Sequence, residues 1–275
     1  MMSAEQALFH IAFYKFVELD DVDAVVERVR TLTRELLGSV LLAGEGINGV
    51  LAGAAPALDA FEQALLQDAR FAGIVFKRSA CRTAPFARIK VHRKREIVAF
   101  GVDGVSGLKL SVEADSHVSP QAWRELIARD DVVLLDNRNS FEWRLGRFNK
   151  AIDPQVANFR DFAAYVQAHA PQWQAGHKRV AMYCTGGIRC EKTSAWMQGL
   201  GLEVYQLEGG ILNYFQSMPD AAADWQGECF VFDNRVALDT RLQETATTAE
   251  QVYAGDPDEA WRLERARRLD AAGEP

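Results

Sequence analysis

Two α/β domains in series are what this sequence predicts: a ferredoxin-like βαββαβ domain over residues 1–100, then a parallel-sheet α/β domain over residues 119–220. Three observations predict it. The first hundred residues alternate strand and helix signals in the order βαββαβ, the split βαβ arrangement. Residues 101–118 are rich in Gly, Ser and Asp, as a linker is. Beyond them short apolar runs recur between helical stretches, the pattern of a parallel sheet covered on both faces. A C-terminal extension, 221–275, is expected to be partly helical or disordered, because from Asp239 onward it is polar and Ala-rich.

Each element has its own signal. "LFHIAFYKF" is apolar and aromatic, as a strand should be. Val22, Val25, Val26, Val29, Leu32 and Leu36 recur at helical spacing, and Gly38 is read as the stop. "SVLLAGE" and "GVLAG" read as two strands joined by the turn "GING". Pro56 opens a second helix, "IVFKRSA" is a fourth strand, and "FARIKVHRKREIVAFG" adds a further one, with Ile89 and Val91 alternating against basic residues. In the second domain "SPQAWRELIAR" is a helix with Ser119 as N-cap and Pro120 in first position. "VVLLDN", "RVAMYC" and "EVYQL" are buried strands, separated by the helices "NFRDFAAYVQAHA" and "CEKTSAWMQGLG". Sites in such sheets lie at the carboxyl ends of the strands, where Asp136 and Cys184 stand.

Composition narrows the function classes. Of 275 residues 48% are hydrophobic and 25% charged, values of a soluble globular protein, and no run approaches the roughly 20 apolar residues of a membrane span. "MMSAEQALFHIAFYKF" lacks the basic start and cleavage site of a secretory signal, and four scattered cysteines make no disulfide framework. Both point to a reducing cytoplasm and to no membrane partner. A net charge of −7 argues, taken alone, against nucleic acid. Its distribution argues otherwise: between Ile74 and Arg95 stand Lys77, Arg78, Arg82, Arg88, Lys90, Arg93, Lys94 and Arg95, with no acidic residue among them. An anionic polymer is one reason to gather eight like charges, and protection of a solvated strand edge is the other.

Several motifs carry no chemistry. "GEGING", residues 44–49, matches G-x-G-x-x-G, but a strand follows rather than the helix a dinucleotide site needs. The five histidines form no ligand pair and the cysteines no C-x-x-C, so no metal site and no cofactor is evident. Neither G-x-S-x-G nor a Walker loop is present.

"VAMYCTGGIRCEK", residues 180–192, is different. A thiol becomes a nucleophile on ionisation, which a helix N-terminus and a neighbouring arginine favour. Cys184 ends a strand, Gly186 and Gly187 free the backbone to turn its N–H groups inward as an anion nest, and Arg189 follows within the turn. Cys184 is therefore the expected catalytic thiol and Arg189 its anion-stabilising neighbour, with Thr185, Gly186, Gly187 and Ile188 forming the loop. The spacing is C-x4-R, one residue shorter than the C-x5-R cradle of cysteine phosphatases, and suits a smaller guest such as a sulfur atom. Cys190 is either a resolving thiol or a small residue of the first helical turn. Asp136 and Arg138 are expected to tie a strand end to the loop by an ion pair.

"LLDNRNSFEWRLGRF", "YCTGGIRCEK" and "LEGGILNYF" together resemble a rhodanese domain over about residues 115–220. The family's D-V-R-x-x-x-E-x-x-x-G-H reads here as Asp136-Asn137-Arg138 through Glu142 to Gly146, with Arg147 where histidine is common. Rhodaneses carry sulfur as a persulfide on the loop cysteine, which corresponds to Cys184. "GEGINGVLAG", "PFARIKVHRKREIVAFG", "CTGGIRCEKTSAWM" and "ECFVFDNRVALD" extend the resemblance, from residue 7 to about 240, to the bacterial tRNA uridine hydroxylases. That resemblance implies oxygen-dependent hydroxylation of C5 of the wobble uridine to 5-hydroxyuridine, with molecular oxygen as co-substrate and the loop cysteine required. It implies tRNA, met at its anticodon loop, as partner, and no DNA. Some relatives carry a cysteine-rich segment after "CFVFD"; this chain has only Cys229 there, so no zinc-bearing tail is expected. The basic stretch then becomes a footprint for tRNA phosphates, and Phe86 and Arg88 are candidates to stack on a splayed base. Two other readings stay open: a rhodanese-type sulfurtransferase carrying a persulfide on Cys184, and a non-enzymatic RNA-binding module.

Overall fold

The computed structural model describes residues 7–108, 116–254 and 256–271; the middle of the expected linker and the last residues of the tail lie outside them. The chain divides into two units, residues 1–98 with 233–235, and residues 99–232 with 236–275. Among the described residues no helix is long and apolar enough to cross a membrane.

The first unit runs β1 (Leu8–Phe16), α1 (Val22–Leu32), β2 (Leu37–Ala43), β3 (Gly46–Ala54), α2 (Ala55–Leu66), β4 (Lys77–Cys81) and β5 (Ile89–Arg93). Its sheet has the order β4-β1-β3-β2-β5. The first four strands are the ferredoxin-like set, antiparallel, and β5 adds to the free edge of β2 in parallel. Valines 22, 25, 26 and 29 of α1, and Leu58, Phe61 and Leu65 of α2, lie at helical spacing on buried faces. They close a core with Ile11, Phe13, Val40, Leu42, Ile47 and Leu51 from the sheet.

Two boundaries differ from the sequence reading. Helix α1 stops at Leu32, where the Thr33 hydroxyl donates to the Val29 carbonyl, so Gly38 ends nothing. It lies inside β2. The β2–β3 turn is Gly44–Glu45, and "GING" belongs to β3. Gly46 has φ +138°, and a Cβ there would stand 2.0 Å from the Lys15 carbonyl oxygen. These glycines serve close strand approach.

The second unit contains β6 (His117–Val118), α3 (Pro120–Ile127), β7 (Val132–Asp136), α4 (Ser140–Leu145), β8 (Gly146–Phe148), α5 (Phe162–Ala175), β9 (Arg179–Tyr183), α6 (Ile188–Gly199), β10 (Val204–Leu207) and α7 (Gly210–Ser217). Strands β6-β10-β9-β7 form an all-parallel sheet. Ser119 caps α3 by accepting from the Ala122 N–H, with Pro120 in the first turn. Val180 to Tyr183 are fully buried, as a central parallel strand requires. Phe100, the last residue of the expected first domain, packs 5.2 Å from both Phe159 and Trp196 and so belongs to this unit instead. Strand β11 (Trp225–Gly227) pairs with β8, and β12 (Cys229–Phe230) with β13 (Ala237–Leu238). The tail carries α8 (Ala249–Tyr253) and α9 (Ala260–Ala271). Tyr253 of α8 is buried against Phe141 and Phe230, so this part of the tail is anchored by aromatic packing that its polar composition hides.

Candidate active site

Strand β9 ends at Tyr183, and the loop Cys184–Gly187 leads straight into α6, which begins at Ile188 rather than after Arg189. Gly187 has φ +101°, a left-handed conformation open to glycine, and its N–H points back to donate to the Cys184 sulfur at 3.1 Å. Gly186 differs: a Cβ there would meet nothing within 4 Å, so its side of the loop is open space. The loop carbonyls are held from behind. Ile211 and Leu212, at the start of α7, donate their N–H groups to the carbonyls of Cys184 and Thr185 at 3.0 and 3.2 Å. Gly210, φ +70°, fits beneath the loop because a Cβ would come within 2.5 Å of the Cys184 carbonyl oxygen.

Cys184 is 1% exposed. Burial pushes its thiol up; the hydrogen bond from the Cys190 thiol, the Arg189 charge and the backbone N–H groups of Cys190 and Arg189 outweigh that and hold it well below the usual thiol range. Cys190 moves the other way. Burial, its hydrogen bond to Cys184 and the thiolate charge push it well above that range. Of the two thiols Cys184 is the more readily ionised, and Asn137 Nδ2 lies 3.9 Å from the Cys190 sulfur. Cys229, also buried, is pushed up to about 12 by burial.

Arg189 presents its guanidinium to Glu142. Nη1 and Nη2 donate to Glu142 Oε2 and Oε1 at 2.7 and 2.8 Å, a bidentate pair whose carboxylate is fully buried. Glu142 also accepts the Asn139 N–H at 3.1 Å, the return bond of a capping box at the start of α4. Asp136 and Arg138 form the expected ion pair, with neither side chain exposed. Arg138 Nε and Nη2 meet the Asp136 carboxylate at 2.8 and 2.6 Å, Nη2 also donates to the Gly146 carbonyl, and Tyr183 Oη donates to Asp136 Oδ2 at 2.7 Å. This pair locks the ends of β7, β8 and β9 together. Between them Asn137 donates through Nδ2 to Thr193 Oγ1 of α6 at 3.0 Å, fixing the helix whose first turn carries Cys190.

The eight basic residues do not form one patch. Lys77 and Arg78 are on β4, and Lys90 and Arg93 on β5, the two opposite edges of a five-stranded sheet, ~19 Å apart at the usual strand spacing. Arg82 and Arg88 lie in the connection, and Lys94 and Arg95 follow β5. Arg78 pairs with Asp59 and Glu62, and Arg93 with Asp23. Phe86 stacks on His10, ring centroids 6.2 Å apart, inside the first unit.

Glu142, Asn137, Gly210 and Tyr183 were given no role by residue reasoning. Only Glu142 had a local signal, the Asn139-x-x-Glu142 spacing of a capping box; the others act through contacts distant in sequence.

Residues 9–97 match the family described as UPF0176 acylphosphatase like domain, and residues 119–217 the Rhodanese-like domain. Proteins named tRNA uridine(34) hydroxylase from Legionella pneumophila strains Corby, Lens and Paris are each 42% identical to this chain over 245 residues, 88% of this chain and 94% of theirs. Among solved structures the dark state of the BLUF protein BlrB matches at a TM-score of 0.29 and 16% identity, over 32% of this chain and 74% of that one, too slight a likeness to argue from. With an acylphosphatase-like unit ahead of a rhodanese-like one, and this identity along nearly the whole length, the chain belongs to the tRNA uridine(34) hydroxylase family.

Proposed function

We propose that this chain hydroxylates the wobble uridine of tRNA, position 34, at C5, with molecular oxygen as co-substrate and Cys184 as the nucleophile. One observation carries the reading: a buried cysteine at a strand-to-helix loop whose sulfur accepts the Gly187 N–H at 3.1 Å, in a chain that aligns nearly end to end with relatives named tRNA uridine(34) hydroxylase.

C5 of uracil lacks the electron density to take up an oxygen atom. The Cys184 thiolate adds to C6, and the C5–C6 π pair moves onto C5 and the C4 oxygen as an enolate. C5 then takes one oxygen atom of dioxygen; the other leaves as water, using two electrons and two protons from a reductant. Loss of the C5 proton expels the thiolate and restores the double bond. The base enters on the Gly186 side, where the loop is open. Lys77, Arg78, Arg82, Arg88, Lys90, Arg93, Lys94 and Arg95 supply contacts to tRNA phosphates, spread over both edges of the first unit's sheet. A base splayed from the anticodon loop is the form in which C6 is reachable.

Nucleoside mass spectrometry of tRNA incubated aerobically with wild type and with Cys184→Ser tests this. A uridine heavier by one oxygen atom with wild type and absent with the variant is expected. Hydroxylation surviving in Cys184→Ser would sink the nucleophile assignment. The match of residues 119–217 to the rhodanese-like family favours a second reading, sulfur transfer through a Cys184 persulfide. Sulfur label on Cys184 with no oxygen gain on tRNA would select it.

A further inference from the structure

We propose that Phe232 is the platform on which the target uracil stacks beside the Cys184 loop, an assignment that rests on the hydroxylase reading above. Phe232 is 59% exposed, although its neighbours Phe230 and Val231 are buried. Single exposed apolar side chains are common and mean nothing alone. This one differs in how it is held and in what it stands beside.

Phe232 lies in the loop joining β12 to β13, closed by the Val231 N–H donating to the Val236 carbonyl at 2.9 Å. Its ring packs perpendicular to Phe230, centroids 4.9 Å apart at 84°, and perpendicular to Phe141 at 6.3 Å. Both partners are buried, and Phe141 is itself wedged against Tyr253 of α8 and the Arg262 guanidinium of α9. The ring is oriented by packing while more than half of it faces solvent. A flexible surface side chain would lose conformational freedom on binding a base; this one has already lost it.

Its position gives the platform a use. The Arg189 guanidinium lies 6.0 Å from the Phe232 ring centroid. Arg189 lies in the first turn of α6, five residues after Cys184, and its charge acts on that sulfur. An exposed aromatic ring therefore stands beside the nucleophile's own arginine, one face toward the guanidinium and the other left for a base. Uracil is a flat, weakly stacking base, and once extruded from the anticodon loop it loses its neighbours on both faces. Stacking on an aromatic side chain replaces one of them and holds the ring in place for addition at C6. Phe232 touches the base and not the reacting bond, so its loss should act on binding.

The test uses the full-length protein, an RNA anticodon stem-loop with uridine at the first anticodon position, and the same loop abasic there. Phe232→Ala is expected to raise KM for the uridine loop roughly 5- to 100-fold, with kcat changed far less. Alkylation of Cys184 by iodoacetamide should keep its wild-type rate in that variant, showing the thiolate loop intact. Phe232→Trp should restore KM, and its added fluorescence should be quenched by the uridine loop and not by the abasic one. A wild-type KM in Phe232→Ala, or equal quenching by both loops, overturns the proposal. Failure of wild type to hydroxylate any tRNA would instead overturn the hydroxylase reading, and the quenching comparison would still decide whether Phe232 meets the base.

Discussion

Replacing Glu142 by Gln keeps the shape of the side chain and removes its charge. In the folded protein that carboxylate accepts two hydrogen bonds from Arg189, at 2.7 and 2.8 Å, and a third from the Asn139 N–H, with no exposed surface. The glutamine can still accept at one oxygen, but its amide turns a donor toward the guanidinium. Arg189, itself only 8% exposed, is left as a buried cation without a counter-ion. Breaking one side of such a pair costs about 3–5 kcal/mol. At about 2–4 °C per kcal/mol for a unit of this size, Tm should fall by roughly 6–20 °C. The pH dependence has a definite sign. Burial pushes the Glu142 carboxyl up, but the Arg189 charge and its hydrogen bonds outweigh it and hold the group below its usual range. A depressed folded value contributes stability that is full above the unfolded carboxyl range, near about 4.3, and is lost as pH falls through the folded value. Glu142→Gln should therefore lower Tm at neutral pH and shrink the acid-side decline. Thermal unfolding followed by circular dichroism between pH 3 and pH 8, all approximate bounds, reads both. The double variant Glu142→Gln/Arg189→Gln should recover part of the loss, since neither ion is then buried alone. A loss below about 1 kcal/mol in the single variant would refute the reasoning, because that is the worth of an exposed pair.

Other predictions follow from the loop. Gly210→Ala and Gly187→Ala should abolish hydroxylation and slow Cys184 alkylation, the first by driving a Cβ to 2.5 Å from the Cys184 carbonyl oxygen, the second through φ +101°. Gly186→Ala, with nothing within 4 Å, should leave Tm unchanged, whereas Gly186→Trp should fold and block the base; equal losses from all the alanines would contradict the geometry. Cys190→Ala removes the thiol that donates to Cys184, so the pH midpoint of Cys184 alkylation should move up; an unmoved midpoint would take Cys190 out of the site. His10 is lowered to about 4, by burial first and then by the Arg235 charge, against the opposing charge of Asp233. The unfolded chain thus takes up a proton near 6.5 that the folded one refuses, and acidification toward 4 should cost about 3 kcal/mol in the first unit. His10→Phe should flatten that slope in a urea-unfolding series.

What the sequence revealed follows the range of the interactions concerned. The valine spacing of α1, the Ser119–Pro120 start of α3 and the apolar run of β9 are local patterns, and each element is where its pattern puts it. The turn from β9 into α6 was legible for the same reason: strand end, cysteine, two glycines and arginine are contiguous. Glycines misled where their reason is tertiary. Gly38 and Gly46 look like punctuation, yet each admits a facing strand's carbonyl closer than a Cβ would allow. The basic run misled in a parallel way, since β4 and β5 are neighbours in sequence and opposite edges in the sheet. Tyr253 could not be found locally either, because its burial depends on Phe141, more than a hundred residues earlier.

The loop's electrostatics turn on a count of buried charges. Asp136, Arg138, Glu142 and Arg189 form two bidentate pairs in a region sealed from solvent, and their charges cancel. Arg189 acts on Cys184, but its guanidinium is already shared with Glu142, so an ionised Cys184 adds a negative charge that these two pairs do not balance. Such a charge is tolerable only where dipoles aim at it. Those present are the Gly187 N–H at 3.1 Å, the backbone N–H groups of Arg189 and Cys190 at the start of α6, and the Cys190 thiol. The arginine then works chiefly as the pin that fastens α6 to Glu142, and the helix start works as the anion site. Arg189→Met in a Glu142→Leu background, with the charge pair replaced by apolar bulk, should keep Cys184 alkylable at neutral pH, although Arg189→Met alone should not fold well. If the paired replacement returned Cys184 to ordinary thiol reactivity, the arginine's charge and not the backbone would be what ionises it.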